Sequence, residues 1–66
     1  MIDKRYFGKR IAQHRKSRNL SQAELAEHLG VTSQAVSKWE CGCTMPDIEL
    51  LLELSQLYGV TINDLL

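Results

Sequence analysis

The sequence predicts a single all-α domain built from five short helices. Three observations lead to this prediction: the chain has only 66 residues, its apolar residues recur at helical spacing, and glycine or proline separates the apolar segments. A chain of this size buries only about 60% of the surface that its unfolded form exposes. Short helices suit it, because their contacts are local and they satisfy their own backbone hydrogen bonds. We therefore expect residues 1–66 to form one domain.

The first helix is predicted over residues 6–18. Phe7, Ile11 and Ala12 form its apolar stripe, and its charged residues face the solvent. Asn19 follows the helix, and asparagine suits a helix end because it tolerates the left-handed conformation.

The second helix begins with a capping box at Ser21 and Glu24, in which each side chain binds the backbone N–H of the other residue. Leu25 and Leu29 lie on its apolar face. Gly30 follows at once, and glycine ends helices readily in the left-handed conformation.

The third helix, predicted over residues 33–40, starts after the capping residue Thr32 and ends at Gly42. Val36 and Trp39 are spaced for one face and are expected in the core. Trp39 could instead be a stacking residue for bases, but its spacing and its apolar neighbours favour the core.

The fourth helix is predicted to open at Pro46 and Asp47, since proline suits a helix start, and Gly59 ends it. Thr61 caps a short fifth helix that reaches the last residue, Leu66.

The formal net charge is zero, but the charges are divided unevenly along the chain. Residues 1–18 carry seven basic side chains against one acidic side chain, Asp3. The remaining residues carry seven acidic side chains against one basic side chain, Lys38. This division predicts either a basic face for phosphate with an acidic back, or simply a solvated basic helix.

Two cysteines, Cys41 and Cys43, stand one residue apart, and a disulfide between them would close almost no loop. The chain has no signal-peptide pattern and no long apolar run, so we expect a cytoplasmic protein with free thiols. Together with His14 and His28, the cysteines raise the alternative of a metal site. Zinc sites use longer spacers and four assembled ligands, so no metal is predicted. A redox-sensing role for the thiols is a further alternative.

The third helix carries the strongest indication of function. Two short helices joined by a tight glycine turn set the second helix across the first, where it can enter a groove. Its outer face offers Ser33, Gln34, Ser37 and Lys38, with no carboxylate before Glu40. Glutamine pairs with adenine, lysine donates to guanine, and serine serves either. This face predicts binding to the major groove of double-stranded DNA.

These residues also resemble a known family. Residues 21–40 have the sequence SQAELAEHLGVTSQAVSKWE, and Gly42 and Pro46 follow. This run resembles the Xre family of Cro/repressor-like helix-turn-helix domains, and the resemblance covers nearly the whole chain. It implies a compact five-helix, lambda-repressor-like fold with the helix-turn-helix at the second and third helices. It also implies sequence-specific DNA binding in transcription regulation.

The resemblance implies roles for individual residues of the second and third helices. Gln22 is expected to bind a backbone phosphate and to brace the third helix. Ser33 and Gln34 are expected to face base edges. Ser37 and Lys38, one turn later, are expected to reach bases or the adjacent phosphate.

In the first helix, the resemblance implies that Arg10 and His14 approach the phosphate backbone. Arg15 and Glu40 match a pair that forms a buried or half-buried ion pair in the family, and Arg15 is also a candidate phosphate contact. The loop 41–45 departs from the family pattern because it carries no charge, which should weaken binding and flatten its salt dependence.

We expect no cofactor and no enzymatic activity, because the sequence contains no phosphate-binding glycine loop and no assembled nucleophile. One module covers only a half-site, so strong selectivity predicts a homodimer on DNA. The candidate partner surface consists of Leu50, Leu57, Leu65 and Leu66. The alternative function is a protein-interaction module, such as an antitoxin or a regulator's partner, that uses the leucine-rich fourth and fifth helices. The chain could also be the N-terminal part of a longer regulator.

Overall fold

Five α-helices follow one another in residues 3–66, the residues that the computed structural model describes. They are α1 (Lys4–Ser17), α2 (Gln22–Leu29), α3 (Ser33–Glu40), α4 (Ile48–Tyr58) and α5 (Ile62–Leu65). The prediction of an all-α fold with five helices is confirmed. Within residues 3–66, no helix combines the length and the apolar content needed to cross a bilayer.

The caps predicted for α2 and α3 are present. The Ser21 hydroxyl accepts a hydrogen bond of 3.0 Å from the Glu24 backbone, and the Glu24 carboxylate accepts one of 2.9 Å from the Ser21 backbone. The Thr32 hydroxyl accepts from the backbone N–H of Ala35. Gly30 ends α2 in the left-handed conformation, with φ at +70°. These contacts satisfy backbone groups that a helix leaves unpaired at its ends.

Two helix starts differ from the sequence predictions. The first helix begins at Lys4, because the carboxylate of Asp3 accepts hydrogen bonds from two backbone N–H groups of the first turn. Proline does not open the fourth helix. Asp47 is the N-cap of this helix, and its carboxylate accepts a hydrogen bond from the backbone N–H of Leu50. The helix α4 therefore starts at Ile48, one residue after Asp47.

The core lies between all five helices. Its fully buried large side chains are Phe7, Ile11, Leu25, Val36, Leu54 and Leu65. The indole of Trp39 is only 4% exposed, so the prediction that it belongs to the core is confirmed. Burial of these apolar side chains supplies the main driving force that holds the short helices together.

Gly8 allows α1 to pack directly on the end of α3. A Cβ atom at this position would lie 2.5 Å from the carbonyl oxygen of Trp39 and 2.6 Å from that of Glu40. Any other residue type would force the two backbones apart. A glycine within the helical pattern of the sequence was the only signal of this contact.

The expectation of free thiols is wrong, because Cys41 and Cys43 form a disulfide. Gly42, between them, has φ at +80°, a backbone conformation that glycine adopts without strain. The resulting tight turn places the two Cα atoms 5.6 Å apart, within the usual range for a disulfide. The sequence shows how short the loop is, but it does not show the geometry of the turn.

The apolar surface of α4 and α5 also differs from the prediction. Leu65 is fully buried, so it cannot belong to a partner surface. Leu50 and Leu66 are partly buried against the core. The exposed apolar side chains of α4 are Leu57, Ile48 and Leu52, with exposures of 36%, 63% and 46%. Helical periodicity does not distinguish these two sets, because α4 is leucine-rich on several sides.

Candidate nucleic-acid interface

A tight turn fixes α3 relative to α2. The backbone N–H of Gly30 donates to the Glu27 carbonyl, and the N–H of Val31 donates to the Ala26 carbonyl at 3.0 Å. This pair of bonds caps the end of α2, and the next helix begins at Ser33 after only three intervening residues. The orientation of α3 is therefore set by backbone geometry as well as by packing.

The two sides of α3 differ sharply. Val36 and Trp39 are buried in the core. Gln34, Ser37 and Lys38 are exposed, and Ser33 is partly exposed. The residues that sequence reasoning proposed for base contact therefore share the outer side of one helix. In these residues the structure presents hydroxyl, amide and ammonium groups, all of which hydrogen-bond to base edges.

Arg15, Gln22 and Glu40 form one hydrogen-bonded network that joins the first three helices. Arg15 donates to both oxygens of Glu40, at 2.7 and 3.0 Å, and to the Leu20 carbonyl at 2.9 Å. Gln22 donates to Glu40 Oε1 at 3.0 Å. The side chains of Arg15 and Glu40 are only 12% and 9% exposed. The network thus holds a largely buried charge pair with satisfied hydrogen bonds.

The network does not use all the N–H donors of Gln22 and Arg15. A glutamine amide has two N–H groups, and Glu40 takes only one of those of Gln22. Arg15 has five N–H groups, of which three are used. The hydrogen bonding that Arg15 donates to the Glu40 carboxylate is the largest influence on the pKa of Arg15 and raises it above its ordinary value. Arg15 therefore remains positively charged.

Arg10 and His14 lie apart from this network. Arg10 donates to the Tyr6 hydroxyl at 2.8 Å, and its guanidinium lies over the Tyr6 ring. The ring of His14 stacks on the ring of Tyr58, with the centroids 5.0 Å apart. The structure therefore separates the sequence-predicted phosphate contacts: Gln22 and Arg15 belong to the network with Glu40, whereas Arg10 contacts Tyr6 and His14 contacts Tyr58.

Burial lowers the pKa of His14, and the neighbouring charges of Arg18 and Arg10 lower it further, against the opposing effect of Asp64. The His14 Nδ1 atom lies 3.2 Å from an Arg18 nitrogen. Since arginine only donates, Nδ1 accepts, and a neutral His14 carries its proton on Nε2.

Sequence reasoning missed the contact between Arg18 and Tyr58. The guanidinium lies over the tyrosine ring, 4.6 Å from its centroid, and donates to the Tyr58 carbonyl. The Tyr58 hydroxyl donates to the Ile11 carbonyl at 3.2 Å. Burial raises the pKa of Tyr58 to about 12, so the ring stays neutral. The contact joins residues 40 positions apart, and no local pattern indicates it.

A sequence profile of the family described as Helix-turn-helix matches residues 11–65. The HTH-type transcriptional activator BcrR of Enterococcus faecalis is 43% identical over 60 residues, which are 91% of this chain and 29% of that protein. The SPbeta prophage-derived HTH-type transcriptional regulator YonR of Bacillus subtilis is 40% identical, over 91% of this chain and 56% of its own length. The chain thus spans about half or less of these relatives.

Solved structures show the same fold. The P22 c2 repressor protein, crystallised in complex with synthetic operator 9T, superposes with a TM-score of 0.86 at 38% identity, covering 91% of each chain. The restriction-modification controller protein C.AhdI of Aeromonas hydrophila superposes with a TM-score of 0.86 at 26% identity, covering 97% of this chain and 93% of that one. The prediction of a Cro/repressor-like, helix-turn-helix fold is confirmed.

Proposed function

This chain belongs to the helix-turn-helix family of transcriptional regulators, and from that premise we propose that it binds a specific sequence of double-stranded DNA, with α3 in the major groove. Such a role requires no cofactor and no catalytic step, and it places the protein in the cytoplasm with the chromosome. The P22 c2 repressor in complex with synthetic operator 9T supports the proposal, because the two chains share a fold over 91% of their lengths.

The observation that carries the proposal is the outer side of α3. A helix whose inner side is fixed in the core by Val36 and Trp39 presents an ordered row of polar groups outward. Such a helix fits the major groove, which is wide enough to admit it. The backbone N–H groups in the first turn of α3 that the Thr32 cap does not bind would also favour a phosphate.

We assign the base contacts to Ser33, Gln34, Ser37 and Lys38. Gln34 carries most of the selectivity, because its amide donates and accepts at once and so matches adenine. The two serines adapt to either base, and Lys38 donates to guanine or to the adjacent phosphate.

We assign the phosphate contacts to Gln22, Arg15, Arg10 and His14. The second N–H of the Gln22 amide and the unused N–H groups of Arg15 support the first two assignments. Arg10 brings a positive charge, whereas a neutral His14 would donate through Nε2 only. These contacts position the domain and do not themselves read sequence.

Selection from a random pool of duplex DNA at moderate salt tests the proposal. We expect a short motif to be enriched, and we expect Gln34→Ala to weaken the base preference at specific positions of that motif. Gln56→Ala is the matched control, because it makes the same change at an exposed position of α4. An unchanged motif with Gln34→Ala would contradict the assignment of this residue, and no enrichment at all would contradict sequence-specific binding.

Two copies on one DNA site are part of the proposal. A single module reads one half-site, and two modules related by symmetry read half-sites about 10 base pairs apart. The enriched motif should then be a twofold repeat. A single unrepeated motif would indicate a monomeric reader.

The exposed apolar side chains of α4 favour a second candidate function, binding to another protein. Ile48 and Leu52 are one turn apart and are 63% and 46% exposed. If Ile48→Ser with Leu52→Ser leaves DNA selection intact but abolishes regulation in cells, α4 binds a protein partner. If the two substitutions change neither DNA selection nor regulation in cells, this candidate function is wrong.

A further inference from the structure

We propose that Cys41 and Cys43 form a reversible thiol–disulfide site that sets how firmly α3 holds DNA, with low-molecular-weight thiols and disulfides as its co-reactants. The coupling to DNA rests on the proposed function, whereas the redox chemistry does not. We refer to residues 41–43 as the CGC turn. Four structural observations support the proposal, and each concerns the contacts or the accessibility of the CGC turn.

First, the CGC turn closes the last turn of α3. Cys41 is the C-cap of the helix, and its N–H donates to the Ser37 carbonyl at 3.0 Å. The N–H of Gly42 donates to the Trp39 carbonyl, and the N–H of Cys43 donates to the Lys38 carbonyl at 2.9 Å. The turn thus satisfies the carbonyl groups of Ser37, Lys38 and Trp39, three of the four that α3 leaves unpaired at its end.

Second, the CGC turn is packed against the start of α1. A Cβ atom on Gly42 would lie 3.1 Å from Arg5 Cγ and 3.2 Å from Arg5 Cα. Gly42 therefore lies in close contact with the first turn of α1, so the CGC turn is held between the start of α1 and the end of α3.

Third, the turn is accessible to small molecules. Both cysteines are exposed, and the disulfide closes a loop of only three residues. A disulfide that constrains so little of the unfolded chain gains little entropic stabilisation. Exposed disulfides of this kind are the ones that exchange with external thiols.

Fourth, the Cys41 sulfur lies 3.3 Å from the Lys38 carbonyl oxygen. Within the disulfide this sulfur has no proton to donate. After reduction it is a thiol, a weak donor that competes for the same carbonyl oxygen as the Cys43 N–H. Reduction therefore removes a covalent constraint and adds a competing donor at the residue whose side chain is a proposed base contact.

The reaction is a balanced two-electron exchange. The thiolate of one small thiol attacks one sulfur of the disulfide, forms a mixed disulfide and releases the other cysteine as a thiolate, which takes up a proton. A second thiolate attacks the sulfur of the bound small thiol. It releases the first cysteine, also protonated, and the small thiols leave as their oxidised disulfide. The reverse reaction oxidises the protein.

The disulfide form should bind DNA more tightly, because the disulfide already orders the end of α3 and less ordering remains to be done on binding. Ordering a few side chains and one turn on binding corresponds to an affinity change of about threefold to tenfold.

The first experiment measures the redox couple without DNA. The protein is equilibrated over a series of reduced-to-oxidised glutathione ratios and quenched in acid. It is then alkylated with N-ethylmaleimide, and the mass of the intact chain is measured. We expect one transition from no alkylated cysteine to two. No disulfide at any ratio, or a disulfide that persists at every ratio, would overturn the proposal.

The second experiment titrates a labelled duplex of the selected motif with the oxidised and the reduced protein. We expect the reduced protein to bind about threefold to tenfold more weakly. The variant Cys41→Ser with Cys43→Ser should bind like the reduced protein in both conditions. Equal affinity of the two forms, or a redox effect that persists in the double variant, would overturn the coupling.

The two proposals fail in different ways. If neither form binds the selected motif or a mixed-sequence duplex at low salt, the proposed function fails and the DNA coupling fails with it. The glutathione series then still decides whether the redox couple exists. If both forms bind DNA equally while the couple titrates, the function stands and the coupling alone is wrong.

Discussion

The backbone of Gly8 touches the carbonyl oxygen of Trp39 so closely that a Cβ atom would lie 2.5 Å from it. This contact lets α1 lie against the end of α3, where Arg15 also reaches Glu40. Two independent features, one steric and one electrostatic, therefore fix the same pair of helices. Gly8→Ala tests the steric feature, and Glu40→Ala tests the electrostatic one.

Gly8→Ala should destabilise the domain. Helix propensity alone would make this change stabilising by about 0.5–1 kcal/mol. The steric overlap is with backbone, which cannot rotate away, and overpacking of this kind costs about 1–3 kcal/mol. Chemical denaturation should show a lower free energy of unfolding. Gln13→Ala, at an exposed position of α1, is the control, and a stabilised Gly8→Ala protein would contradict the packing described here.

Glu40→Ala should destabilise the domain strongly, because it leaves the largely buried Arg15 without its carboxylate. Breaking one side of a buried ion pair costs about 3–5 kcal/mol. That is comparable to the whole stability of a chain of this size, at roughly 0.05–0.15 kcal/mol per residue. Thermal unfolding followed by circular dichroism measures the effect.

Glu53→Ala removes an exposed carboxylate from α4 and serves as the control for Glu40→Ala. Replacing Arg15 and Glu40 together should cost less than the sum of the two single changes, because neither charge is then stranded. Strict additivity would show that the two residues do not act as a pair.

Gln34→Ala should lower the preference for the selected DNA sequence over its single-base variants by about tenfold, since a bidentate base contact is worth about 1–3 kcal/mol. Binding to unrelated duplex should change little. Competition titrations at one fixed salt concentration measure both quantities. An equal loss for specific and unrelated DNA would indicate that Gln34 contacts phosphate.

Lowering the pH through the ordinary range of histidine should destabilise the domain through His14. Its pKa is lowered in the folded state, mainly by burial, so the folded state resists protonation more than the unfolded state does. The contribution of neutral His14 to the free energy of unfolding is complete above the ordinary histidine pKa of 6.5, and it is lost as the pH falls below that value. Melting temperatures across this range should therefore decline toward acid.

His14→Gln should flatten that decline, whereas His28→Gln, at an exposed position of α2, should not. The carboxylates of Glu24 and Asp64 also have lowered pKa values, chiefly because backbone hydrogen bonds stabilise their charged forms. Their contribution is lost only at lower pH, below the ordinary carboxyl range, so it does not overlap with that of His14. An unchanged profile for His14→Gln would contradict this assignment.

Local chemistry made much of the fold predictable. The capping pair of Ser21 and Glu24, the left-handed Gly30 and the capping Thr32 each act within a few residues, and the structure contains all three. Because these signals delimit α2 and α3, the outer row of α3 could also be named in advance. The family resemblance supplied the pairing of Arg15 with Glu40, which no local pattern indicates.

Features that depend on three-dimensional placement were not predictable in this way. The burial of Leu65 and the exposure of Ile48 depend on how α4 and α5 pack, and both helices are apolar on more than one side. The disulfide depends on the left-handed turn at Gly42. The stacking of His14 and Arg18 on Tyr58 joins distant parts of the chain.

The two-sided character of α3 has an evolutionary consequence. Stability depends on its inner residues, Val36 and Trp39, and on Glu40 at its end, whereas the proposed reading of DNA depends on its outer residues. Because the two sets hardly overlap, mutation can rewrite the outer set while the inner set continues to hold the helix in place. A duplicated copy of this domain could thus acquire a new operator by a few surface substitutions, without passing through an unfolded ancestor.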